Sequence, residues 1–205
     1  MAEAETAIRY GATAIGLVSQ MPSGPGVISE ELISEIALKT PPGIGTFLLT
    51  SKQDTASIIK QQRRCNVNTI QICDSLSKGD YTDFRKELRG IKIVQVIHVV
   101  DDSSVEEAIS IAPMVDGLLL DSGIVNSSVK ELGGTGRTHN WELSKTIVEL
   151  TQTSVWLAGG LNPENVSSAI EAVSPFGVDV CSGVRSNGSL DESKLSQFVK
   201  KINSA

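Results

Sequence analysis

The chain has 205 residues, 40% hydrophobic and 20% charged, with a formal net charge of −6 and a pI near 5.0. That length suits one domain with a full core, and the acidic balance excludes a nucleic-acid scaffold, whose footprint is basic. Cysteines 65, 73 and 181 follow no metal or disulfide spacing, and no apolar run nears the roughly 18 residues of a membrane span.

Residues 2–10 are expected to form a helix stopped by Gly11. Short apolar strands then alternate with helices. Strands are expected at 14–18, 45–49, 69–72, 91–99, 117–120, 155–158 and 177–181. Helices are expected at 30–38 behind a Ser29 cap, and at 54–64, 81–88, 104–111, 141–150, 163–173 and 191–202. Strands joined through helices run parallel, with right-handed crossovers. No linker, charge block or low-complexity tract divides the chain, so 1–205 is expected to be a single domain. The pattern holds seven strands and eight helices. An eight-fold TIM barrel needs a strand before the first helix, and this sequence starts on the helix. Either the sheet is open, or the sequence omits the first strand of a (β/α)8 barrel. A doubly wound sheet is the structural alternative. The start shows neither a basic segment nor an apolar run, so no secretory signal is expected and a cytoplasmic location follows.

Three glycine signals recur about one strand-plus-helix unit apart: Gly133-Gly134-Thr135-Gly136, Gly159-Gly160 and Ser182-Gly183. Each follows an apolar strand. Glycines let backbone N–H groups approach an anion closely, and a following helix adds its positive end. Three such loops on one rim suggest a phosphate cradle. None fits the G-x-x-x-x-G-K-[ST] or G-x-G-x-x-G pattern.

Catalytic groups of parallel barrels stand at the C-terminal strand ends. Asp121 occupies such an end. It is either a loop carboxylate capping the turn with Ser122 or a general acid whose pKa desolvation has raised. Asp179 lies inside the last strand, as a structural hydrogen-bonder or a substrate contact. Arg185 follows at the same rim, either solvated or pairing with a substrate anion. His98 and His139 fit packing and capping roles, and Cys73 and Cys181 fit buried apolar ones. No Ser/His/Asp or Cys/His order supports a nucleophile.

Leu118-Leu119-Leu120-Asp121-Ser122, Gly133-Gly134-Thr135-Gly136-Arg137-Thr138-His139-Asn140-Trp141, Leu157-Ala158-Gly159-Gly160-Leu161-Asn162-Pro163-Glu164-Asn165-Val166 and Val178-Asp179-Val180-Cys181-Ser182-Gly183-Val184 together closely resemble phosphoribosylanthranilate isomerases, in order and spacing. The resemblance is strong from about residue 115 onward and loose before it. It implies a single (β/α)8 barrel acting in tryptophan biosynthesis on a small phosphosugar-anthranilate substrate, as monomer or homodimer, without metal or organic cofactor and without nucleic-acid or membrane partners. It implies Asp121 as general acid. It also implies that the phosphate lies against Gly134-Thr135-Gly136, Gly159-Gly160 and Ser182-Gly183, with Asp179 and Arg185 among the substrate contacts.

The departures are specific. The family's base is a cysteine in a Lys-x-Cys-Gly motif on the first strand, and this sequence has no such motif. Residues 22–29 lack the arginine that holds the anthranilate carboxylate, and Gln71-Ile72-Cys73-Asp74 replaces Gln-Leu-His-Gly. Arg185 stands where the family carries glutamate, which suggests that it takes over the carboxylate. The alternatives are a phosphosugar-binding barrel that has lost its base, or another sugar-phosphate isomerase or epimerase. A barrel short of one strand should also expose two unpaired edges.

Overall fold

Helix stops and caps mark out the alternation. The computed structural model describes residues 1–22, 26–122 and 140–205. Its elements are α1 (Ala2–Arg9), β1 (Ala14–Val18), α2 (Glu30–Lys39), β2 (Gly45–Thr50), α3 (Thr55–Cys65), β3 (Thr69–Ile72), α4 (Tyr81–Glu87), β4 (Lys92–His98), α5 (Asp102–Ile111), β5 (Gly117–Asp121), α6 (Trp141–Leu150), β6 (Ser154–Leu157), α7 (Val166–Val173), β7 (Gly177–Val178), a hairpin of β8 (Arg185–Ser186) and β9 (Ser189–Leu190), and α8 (Glu192–Ile202). Ser29 caps α2 through Leu32 N, and Asp80 and Asp101 each close a capping box on α4 and α5.

Strands β1 to β7 form one parallel sheet in chain order. Successive side chains point to opposite faces. Ile70, Ile72, Leu118, Leu120, Val155 and Leu157 pack against the helices in the larger core. Val94, Val96, Leu119 and Ala158 face the other way, into the curl of the sheet, with Phe47, Leu49 and Trp156. Trp156 fills the floor of that curl. Its ring meets Phe47 and Phe176 edge-on, with centroids 6.4 and 5.0 Å apart. Gly117 and Gly177 flank it on the neighbouring strands, where an added Cβ would lie 2.3 and 2.9 Å from the indole.

The helix layer closes where the sheet does not. Tyr10 Oη donates to Glu192 at 3.1 Å, joining α1 to α8. Beneath that junction, β1 and β7 are the sheet's two ends. β1 pairs only with β2 and β7 only with β6 among the described strands, apart from an isolated bridge between Val18 and Val27. The architecture is thus a TIM-type barrel with seven strands, open by one place between β1 and β7.

Two expected boundaries moved by three residues, and the others by no more than two. Helix α7 starts at Val166 rather than 163, because Asn162 Oδ1 accepts from Glu164 N and Asn165 N and holds a turn there. Strand β7 ends at Val178 rather than 181, since Cys181, at ψ −77°, begins a turn over Ser182–Val184. The β8–β9 hairpin was not expected at all. Asn187 and Gly188 both have positive φ, 52° and 81°, as a two-residue Asn-Gly hairpin turn requires.

Candidate active site

Three strands bring Asp121, Ala158 and Asp179 level. Leu120 pairs with Leu157, and Leu157 with Val178. The ladder runs one step further: Ala158 N donates to Leu120 O and Asp179 N to Leu157 O, both at 2.8 Å. The next residue on each strand therefore lies on the inner face, at the C-terminal rim, where barrels place their chemistry. His98 is the register partner of Asp121 on β4 and shares the inward parity of Val94 and Val96.

Asp121 is 8% exposed, and its Oδ1 accepts from Ser122 N at 2.7 Å. Loss of hydration raises its pKa above the ordinary aspartate value, against the opposing pull of the Ser122 amide and of His98. Burial, and then the charge of Asp121, pushes Asp179 up to about 6. Asp179 nevertheless reaches solvent, which screens part of that effect, so 6 is an upper limit. His98 Nε2 lies 3.0 Å from the Cys73 carbonyl, which only accepts, so Nε2 carries the proton. His98 Nδ1 is buried and unpartnered among the described residues. Burial drives the Cys73 thiol up to about 12 and raises that of Cys181.

The loop after β6 is a shaped backbone. Gly159 and Gly160 both have positive φ, 78° and 64°, conformations that disfavour side chains. Asn165 Nδ2 holds Gly160 O at 3.0 Å, and Asn165 Oδ1 accepts from Asn162 N at 2.9 Å. Gly183 packs under this loop, where a Cβ would meet Leu161 O at 1.9 Å. Gly159-Gly160 and Ser182-Gly183 are therefore neighbours. Gly134, Thr135, Gly136 and His139 lie outside the described residues.

Arg185 is engaged elsewhere. Its Nη1 and Nη2 donate to Glu3 Oε1 and Oε2 at 3.1 and 2.7 Å, and Nη1 also donates to Gly188 O at 2.8 Å. The carboxylate its fork meets is that of α1. Sequence reasoning did not single out Glu3, Ala158, Asn162 or Asn165. The two asparagines carried a signal, since Asn162-Pro163-Glu164-Asn165 is turn chemistry ahead of a helix. Among the described residues, no three His, Cys, Asp or Glu side chains cluster as metal ligands, and no helix is long and apolar enough to cross a membrane.

The family model for N-(5'phosphoribosyl)anthranilate (PRA) isomerase matches residues 2–201. The chain belongs to this family. An N-(5'-phosphoribosyl)anthranilate isomerase of Methanosarcina mazei is 33% identical over 201 residues, covering 97% of this chain and 88% of the relative. The Haloferax volcanii isomerase is 32% identical over 197 residues, covering 95% and 85%. Among solved structures, the Thermotoga maritima phosphoribosyl anthranilate isomerase superposes with a TM-score of 0.80 at 28% identity, covering 100% of this chain and 94% of that one. A PRA isomerase structure in complex with reduced 1-(o-carboxyphenylamino)-1-deoxyribulose 5-phosphate superposes at 0.77 with 26% identity and the same coverage.

Proposed function

We propose that this PRA isomerase family member catalyses the Amadori rearrangement of N-(5'-phosphoribosyl)anthranilate to 1-(2-carboxyphenylamino)-1-deoxyribulose 5-phosphate in tryptophan biosynthesis, in the cytoplasm, as a monomer or homodimer. One observation carries this reading. Asp121, a desolvated carboxyl with a raised pKa, stands at the strand end beside the Gly159-Gly160 and Ser182-Gly183 loops. Asp121 protonates the furanose oxygen O4' as the C1'–O4' bond opens, leaving an iminium at C1'. A base removes the C2' proton to give an enolamine, which becomes the ketone. The N–H groups of Gly159, Gly160, Ser182 and Gly183 hold the phosphate, with Gly134, Thr135 and Gly136 completing the cradle.

The test is turnover of freshly prepared phosphoribosylanthranilate by the purified chain, together with rescue of a tryptophan auxotroph lacking this step. Absence of both, with the protein folded, would sink the reading. Two departures inside the chain, Cys73-Asp74 after the third strand and a segment 22–29 without arginine, favour a second reading, a barrel that binds the phosphosugar without converting it. Binding of the reduced product without turnover would select that one.

A further inference from the structure

Two buried side-chain atoms lack a hydrogen-bond partner among the described residues, and one of them, His98 Nδ1, belongs to the register partner of Asp121. We propose that His98 Nδ1 accepts a hydrogen bond from the 2'-hydroxyl of the substrate and thereby distinguishes substrate from product. The proposal rests on the isomerase reading above.

The state of the ring follows from its neighbours. His98 closes β4 with the inward parity of Val94 and Val96. Its place is fixed from two sides. Ser104 Oγ, in the first turn of α5, donates to His98 O at 3.2 Å, and Val99 N donates to Asp121 O at 2.9 Å. Nε2 donates to the Cys73 carbonyl at 3.0 Å, which leaves a lone pair on Nδ1 of the neutral ring. The groups level with it on β5 and β6 bring no donor: Asp121 accepts from Ser122 N and directs its acid proton to O4', and Ala158 has no polar side chain. A buried acceptor left bare is unfavourable, and a donor carried in by a ligand relieves it. His98 as a whole is only part buried, so a ligand in the mouth meets the ring.

Strand order decides which part of the substrate brings that donor. Strands β4 to β7 are consecutive in the sheet. With the phosphate on the loops after β6 and β7 and O4' at Asp121 on β5, the far end of the ribose, C1' and C2', extends toward β4. His98 is one strand spacing beyond Asp121, about 4.8 Å between Cα atoms. Two donors lie at that end of the substrate. The anilino N–H is engaged by the carboxylate ortho to it, and the 2'-hydroxyl is free.

The contact then follows the reaction. The 2'-hydroxyl is present in the substrate, the iminium and the enolamine, and it disappears when C2' becomes a carbonyl. A carbonyl oxygen only accepts, so in the product two acceptors face each other. His98 takes no proton in any step. It holds C2' in place while the hydroxyl lasts and loses its hold as the ketone forms.

The experiment measures, by calorimetry, the binding of two ligands that differ at C2': 1-(2-carboxyphenylamino)-1-deoxyribulose 5-phosphate, a ketone, and its reduced form, an alcohol. The wild-type chain should bind the alcohol about tenfold more tightly. His98→Gln puts an amide where Nε2 stood, so it keeps a donor for the Cys73 carbonyl and loses the acceptor. Its affinity for the alcohol should fall to within about twofold of that for the ketone, with ketone binding unchanged. His98→Asn puts an amide oxygen near the place of Nδ1 and should keep part of the preference. Labelling with 15N-histidine reads the wild type directly and stands in if a variant does not fold, since the chain has only two histidines. The His98 Nδ1 resonance should move upfield with the alcohol and not with the ketone. Equal wild-type binding of the two ligands overturns the proposal. So does a His98→Gln variant that keeps the wild-type preference, or an Nδ1 resonance that does not respond to the alcohol. Failure of the wild type to bind either ligand instead removes the isomerase reading, and the proposal with it.

Discussion

Glu3 and Arg185 are 182 residues apart in sequence and share two hydrogen bonds, at 3.1 and 2.7 Å. Glu3 Oε1 also accepts from Leu190 N at 2.9 Å. The pair ties α1 to the β8–β9 hairpin, on the side where the sheet is open. It therefore takes part in a junction that strand pairing would otherwise supply. Glu3 is half exposed, so the pair contributes about 1 kcal/mol or less. Arg185→Ala should lower Tm by no more than about 2–4 °C in a chain of this length and leave KM within about threefold. A strong rise in KM would instead mean that Arg185 leaves Glu3 for the substrate carboxylate.

The same pair has a pH signature. Hydrogen bonds from Arg185 and then from Leu190 N lower the Glu3 pKa from its ordinary 4.5. A depressed carboxylate stabilises the fold above its unfolded value, and that contribution disappears as pH falls through the lower folded value. Glu3→Gln should therefore melt below wild type at pH 7, and the two melting curves should converge as pH falls well below 4.5. A Tm gap that persists unchanged at pH 3 would count against an electrostatic origin.

Asp121→Asn removes the proton donor while keeping an oxygen for the Ser122 amide. It should cut kcat by about 10²- to 10⁴-fold and leave analogue affinity within a few-fold. Desolvation raises the Asp121 pKa, so the wild-type rate should fall at high pH as the acid ionises. A variant that keeps full turnover would remove Asp121 from the chemistry.

Much of the barrel was legible because its signals are local. Apolar runs set off by helix caps located β1, β3 and α6 to the residue, and the end of the 117–120 run put Asp121 at a strand end; that Asp121 and Asp179 both turn inward came from the sheet. The floor was half legible. Gly117 and Gly177 marked strand starts, but only the fold shows that both make room for Trp156. The remainder depended on pairing across the chain. Parity along one strand cannot reveal that Ala158 separates two aspartates, because that needs the register of three strands. Nor could a lone arginine at the rim announce Glu3 as its partner. The β8–β9 hairpin is a different case, since Asn187-Gly188 is a local turn signal that the strand-and-helix pattern passed over.

Gly183 offers a test of the phosphate rim that does not touch Asp121. A Cβ there would lie 1.9 Å from Leu161 O and 3.0 Å from Asn162 Cα. Both are backbone atoms of the loop that Asn162 and Asn165 brace against Gly160, so the obstruction cannot turn aside as a flexible side chain would. Gly183→Ala must therefore move the loop after β6 relative to the turn after β7. The overpacking should cost about 1–3 kcal/mol of stability. Because the displaced amides belong to both loops, KM for the phosphorylated substrate should rise about tenfold or more, as should the inhibition constant of inorganic phosphate. Ser182→Ala, which leaves the backbone in place, should change both much less. A folded Gly183→Ala variant with unaltered phosphate inhibition would place the phosphate away from these loops.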